Sequence, residues 1–204
     1  MKTEKLKEVL NCLLTADEYE VRTLKMLSTL FCNKEEETLI EKNSLFGKAF
    51  ISFGVLDKLF ANDKEEDSKS GRKRWDFVFY DETLSAEEKI DRLIKIYSEI
   101  PEAPIKPLIS LLLTASETEE KINVMIQSLY AEKPNEGGEP IENGSYFGKS
   151  FISWKILNAI CTVPEDTEAD SEEETVWGKI FYNGDISAEQ KVEQLAEVYQ
   201  KANQ

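Results

Sequence analysis

The chain has 204 residues, with 25 Lys and Arg against 40 Asp and Glu, a formal charge of -15 and no histidine. The missing histidine excludes Ser–His triads, His-based acid–base pairs and every zinc site that needs an imidazole, while the acidity opposes direct contact with nucleic acid or an anionic membrane. A content of 41% hydrophobic and 32% charged residues, with no long uninterrupted apolar run, is that of a globular chain expected in the cytoplasm.

Charges interrupt the N-terminal stretch every few positions, so it reads as neither a signal peptide nor a membrane anchor. Leu6, Val9, Leu10, Leu13 and Leu14 instead keep the 3–4 spacing of an amphipathic helix. Thr15 with Glu18 is a capping-box pattern that predicts a second helix, with Val21, Leu24, Leu27, Leu30 and Phe31 on its apolar face. After a polar loop, Phe46, Phe50, Phe53, Leu56 and Phe60 step by 4, 3, 3 and 4, and Ile51, Val55 and Leu59 widen the stripe. So wide a face predicts a central helix packed on more than one side, with these Phe residues in the core. A charged loop of low hydrophobicity follows over residues 61–74, and its counterpart over 162–175 in the second half is acidic; both read as mobile segments. The stretch Trp75–Tyr80 is ambiguous between strand and helix. Ser85 with Glu88 caps a last helix bearing Ile90, Leu93, Ile94 and Tyr97.

The same order then recurs. Leu113-Thr114-Ala115 repeats Leu14-Thr15-Ala16; Ser145-Tyr-Phe-Gly-Lys-Ser-Phe-Ile-Ser153 repeats Ser44-Leu-Phe-Gly-Lys-Ala-Phe-Ile-Ser52; Trp177, Phe181-Tyr182 and Ser187-Ala-Glu-Gln-Lys-Val192 repeat Trp75, Phe79-Tyr80 and Ser85-Ala-Glu-Glu-Lys-Ile90. The offset drifts from 99 to 101 to 102. The second copy opens on Ile105, Leu108, Ile109, Leu112 and Leu113, with Pro107 tolerable in a first turn. Thr114 with Glu117 predicts a new helix carrying Ile122, Met125, Ile126, Leu129 and Tyr130. These patterns predict a mainly α protein, a tandem duplication of a four- to five-helix unit over residues 1–100 and 105–204, joined by a stiff linker at 101–104. The positions apolar in both Trp blocks are 75, 78 and 79 and their partners 177, 180 and 181; that is helical spacing, with one short β-strand per copy as the alternative.

The chemical motifs weaken when the copies are compared. Gly144-Ser-Tyr-Phe-Gly148-Lys149-Ser150 ends like a phosphate-binding loop, but its glycines enclose three residues instead of four, and Asn43-Ser-Leu-Phe-Gly-Lys-Ala lacks both the first Gly and the final Ser. Gly47 and Gly148 fit close helix approach. Cys12, Cys32 and Cys161 form no CxxC pair and read as buried apolar residues. The basic cluster Lys69–Arg74 reads as a neutraliser of Asp63–Asp67, since acids replace it in the second copy. No residue is assigned a catalytic or metal-binding role, and no cofactor is expected.

Charge divides unevenly. Residues 1–102 carry 17 bases and 22 acids; the remainder carries 8 and 18. The candidate partner-binding residues are therefore Glu165, Asp166, Glu168, Asp170, Glu172, Glu173 and Glu174 in the second copy. The expected function is a non-catalytic acidic interaction protein that binds a basic protein partner. On composition, that charge matches inhibitors of the immunity or anti-defence type, which occupy nucleic-acid-binding surfaces. The alternatives are an apolar-groove adaptor or homo-oligomeric scaffold and, behind these, a carboxylate-based enzyme.

Overall fold

The structure, a computed structural model, describes residues 1–16, 51–64, 71–131 and 152–204. The helix faces expected over Val21–Phe31, both FGK motifs with Gly47, Gly144, Gly148 and Lys149, Cys32, and the side chains of Ile122–Tyr130 lie outside the described parts. Helix α1 covers residues 3–16. It is followed by α2 (Ile51–Leu59), α3 (Arg74–Phe79), α4 (Ala86–Glu99), α5 (Ile105–Ala131), α6 (Ile152–Cys161), α7 (Val176–Phe181) and α8 (Ala188–Ala202). No strand occurs among the described residues, so both Trp blocks are helical.

Local signals account for the ends of these helices. Ser85 and Glu88 form a reciprocal capping box at the start of α4, and Ser187 and Gln190 do the same for α8. Residues 101–104 are non-helical, as Pro101 and Pro104 require. Thr114 departs from expectation. It starts no helix, because α5 runs unbroken through it. Its Oγ1 instead donates back to the carbonyl of Ser110 (3.1 Å), and Thr15 does likewise to Asn11 (3.2 Å). A Thr hydroxyl satisfied one turn back no longer caps, and with no Gly or Pro nearby the apolar run carries the helix onward.

One hydrophobic cluster draws on all eight helices, from Leu6, Val9 and Leu10 to Leu195 and Val198. Helix α5 packs on α2, α6 and α8. Gly54 of α2 lets α5 approach, since a Cβ there would lie 3.1 Å from Leu111 Cδ2. From the other side, Lys5 of α1 extends its ammonium to the carbonyls of Ile160 (3.3 Å) and Thr162 (2.9 Å) at the end of α6, where a cation complements the unpaired carbonyls. Phe60, Trp75, Phe79 and Trp177 are buried. Phe53 is the exception to the predicted stripe. It is 45% exposed and meets Trp75 edge-on at 5.3 Å, so its place on the stripe does not by itself bury it.

A buried carboxylate organises the second half. Glu119 of α5 accepts from the backbone N–H of Ile152 (2.6 Å) and Ser153 (3.2 Å) and from Ser153 Oγ (2.5 Å). It satisfies two amides at the first described residues of α6, and an anion suits that end of a helix. The adjacent Ser116 accepts from Trp154 Nε1 (3.2 Å). Glu20 stands 99 positions before Glu119 in the sequence, outside the described residues.

Candidate functional site

The segment between α6 and α7 contains no base at all. Instead of an irregular loop it forms two short 3-10 turns, Pro164–Glu168 and Glu172–Glu174. Pro164 suits the opening position of the first, where a missing N–H costs nothing. Asp166 then holds both ends of the loop. Its Oδ2 accepts from Val163 N (2.9 Å) and its Oδ1 from Val176 N (2.7 Å), at the start of α7. Thr175 caps α7, accepting from Gly178 N (3.0 Å) and donating to the carbonyl of Glu172 (2.6 Å). The Glu172 carbonyl lies so close to Gly178 that any Cβ there would overlap it. Glycine at this position is what lets the acidic turn lie directly on the helix.

The predicted residues separate into two kinds. Glu165, Asp170, Glu172, Glu173 and Glu174 are exposed, and Glu174 accepts from Asp170 N (3.0 Å). Asp166 is half-buried and committed to the fold. The side chain of Glu168 lies outside the described set. The field of the cluster reaches Tyr182, whose phenol is pushed up by burial first and then by Glu172 and Glu173. Sequence reading missed Thr175 and Gly178 as the residues that seat the loop. The signal was available, since a Thr-x-x-Gly pattern opens the second Trp helix where the first half has Lys73-Arg-Trp-Asp76.

The matched region of the first half is built from ion pairs. Arg74 binds the buried Asp63 through Nε (3.2 and 3.3 Å) and NH2 (3.1 Å), and reaches Glu99 through NH1 (2.9 Å). Arg72 pairs with Asp76 (2.7 Å) and lies over the Phe77 ring at 4.5 Å; Lys73 approaches Asp57 at 3.8 Å. These bases do neutralise acids, but the partners extend beyond the Asp63–Asp67 run to Asp57, Asp76 and Glu99.

Elsewhere, Tyr97 and Tyr199, 102 residues apart, both turn to Glu102 in the linker. Glu102 Oε1 accepts from Tyr199 Oη (2.6 Å) and from the Met1 amino group (2.5 Å). Burial works to raise this carboxyl, but the bonds from the amino group and the two phenols outweigh it and hold it below its ordinary value. These groups line a shallow depression. Burial drives the Cys161 thiol up to about 12, far from a reactive thiolate. Among the described residues no group of Cys, Asp and Glu is arranged to hold a metal ion, and no helix is long and apolar enough to cross a membrane. Scanning family models and searching curated proteins and solved structures returned no match.

Proposed function

We propose that this chain is a non-catalytic interaction protein, a tandem duplication of a helical unit whose second copy presents the acidic 165–174 segment to a basic protein partner. The observation that supports this reading most is the division of labour in that segment. One carboxylate, Asp166, is spent on backbone amides, while Glu165, Asp170, Glu172, Glu173 and Glu174 are held outward on a hydrogen-bonded frame. Ordering these charges before contact lowers the entropic cost of binding, and their density favours fast, salt-sensitive association. An inhibitor that covers the cationic surface of a nucleic-acid-binding protein is the use that fits. The duplication is supported by helices α1 to α4 and α5 to α8 following one another in the same order, at the offsets seen in the sequence.

Affinity capture from the native host, washed at graded salt, tests this reading. Basic proteins that elute as salt rises are expected; capture of neutral or acidic partners that resist salt contradicts it. The second reading, an apolar docking surface, draws on the exposed rings of Phe53, Phe77, Tyr80 and Tyr182. It predicts the salt-resistant outcome, lost on Phe53→Ser with Phe77→Ser.

A further inference from the structure

Asn183 and Gly184 form an exposed turn between α7 and α8. Asn183 N–H donates to the Ile180 carbonyl (3.3 Å), and Asn183 Oδ1 accepts from Asp185 N (2.8 Å). This is the local bond that favours Asn and Asp in turns. Among the described residues the Gly184 N–H donates to no acceptor, and the space around Gly184 is open. The other described asparagines differ. Asn62 and Asn203 have their Nδ2 groups bonded to carbonyls, Asn11, Asn123 and Asn158 lie inside helices, and none of the five precedes glycine.

We propose that Asn183–Gly184 is a site of spontaneous covalent modification, deamidating in the folded protein to aspartate and isoaspartate. Solvent base removes the Gly184 amide proton, and the nitrogen attacks Asn183 Cγ. The carbonyl electrons shift onto Oδ1, where the Asp185 N–H already sits to stabilise the developing negative charge. The C–N bond to Nδ2 then breaks, that nitrogen takes up a proton, and ammonia leaves a cyclic succinimide. Water opens the ring at either carbonyl. Opening at Cγ gives aspartate; opening at the backbone carbonyl gives isoaspartate. Overall, one water is consumed and one ammonia released, with no oxidant or cofactor. Glycine matters because it has no Cβ to hinder the attacking nitrogen.

The first half displays the aspartate product in the same turn. Asp81 stands 102 residues before Asn183, and its Oδ1 accepts from Thr83 N (2.9 Å) and Thr83 Oγ1 (2.6 Å). The aspartyl form is therefore compatible with this fold. It places a new carboxylate beside Tyr182, where Glu172 and Glu173 already act. The isoaspartyl form inserts an extra backbone carbon just before Ser187, the cap of α8.

The test incubates the full folded chain at mildly alkaline pH, then maps its tryptic peptides by mass. Ile180–Lys191 contains Asn183 as its single asparagine. This peptide should convert with time into two heavier, chromatographically separable species. Asn143–Gly144 falls in a different peptide and is scored separately. Gly184→Ala, whose methyl meets open space, should slow the conversion roughly tenfold or more by hindering the nitrogen's approach. The proposal is overturned if Ile180–Lys191 stays unmodified in the folded chain while converting in urea, or if the folded Gly184→Ala chain reacts as fast as the parent.

Discussion

The loop from α2 to α3 and the loop from α6 to α7 span matched helices, yet they fasten themselves by different chemistry. The first uses a cation: Arg74 clamps the buried Asp63 and reaches Glu99. The second has no base of its own, and the Lys5 ammonium meets only the carbonyl of Thr162 at its start. Asp166 takes two backbone N–H groups, Thr175 ties Gly178 to Glu172, and the turn rests on a helix lacking a Cβ. Because amide donors replace basic side chains, the second loop can be acidic throughout its surface without losing its anchor. The difference separates a neutralised connection from an acidic one, each between two helices.

The largest expected effect lies at the glycine. Gly178→Val should lower stability by about 3 kcal/mol, because the side chain collides with backbone that has no room to yield. The same change at the matched Asp76, where a side chain already stands and pairs with Arg72, should move the urea midpoint far less. Comparable losses at both positions would erase the proposed distinction. Next come the anchoring carboxylates. Asp166→Ala strands two amide donors, and Asp63→Ala takes from Arg74 its buried carboxylate partner. Each should cost about 2 kcal/mol. Urea titration reads both losses, and neither should shrink much as ionic strength rises, because both carboxylates sit at least partly out of water.

A smaller contrast concerns the two buried tryptophans. Trp177 Nε1 donates to Asn158 Oδ1 (3.2 Å). Trp75 Nε1 is buried without an acceptor among the described residues, because Asp57, at the place matching Asn158, turns to Lys58 (3.2 Å) and Lys73 (3.8 Å). Trp177→Phe should therefore cost about 1 kcal/mol more than Trp75→Phe in paired urea titrations. The smallest effect is at the linker shared by both halves. Glu102 has a folded pKa below its unfolded one, so its contribution to stability is present above the unfolded value, near about pH 4.3. It is lost as pH falls through the lower folded pKa. Glu102→Gln should remove that part of the acid-side decline and leave the neutral-pH slope unchanged, as read from melting temperature against pH.

Much of this frame was legible in the sequence. The Ser-x-x-Glu and Ser-x-x-Gln boxes mark α4 and α8, and comparing WDFVFY with WGKIFY favours helix, because only 3–4 spacing stays apolar in both. What failed has a common cause: a local pattern does not say what lies across from it. Thr114 has the letters of a cap, but its hydroxyl bonds backward inside a longer helix. Phe53 keeps the stripe's spacing, yet 45% of it remains exposed. In the acidic run, Asp166 has the same character as its neighbours, and only the amides of Val163 and Val176 set it apart. The Asp63–Arg74 pair and the Glu119 contacts with α6 likewise depend on groups brought together by the fold.

The central claim is that the second-half loop is the charged recognition surface. The most direct measurement is the affinity for the captured partner as a function of salt, comparing the parent chain with one carrying Glu165→Gln, Asp170→Asn, Glu172→Gln, Glu173→Gln and Glu174→Gln, and with a control neutralised at the exposed Glu82, Glu87 and Asp91. Asp166 is left intact in both so that the loop keeps its frame. The account predicts that the loop variant loses at least tenfold in affinity and most of its salt dependence, while the control binds like the parent. Equal affinity and an equal salt slope for all three folded chains would contradict it.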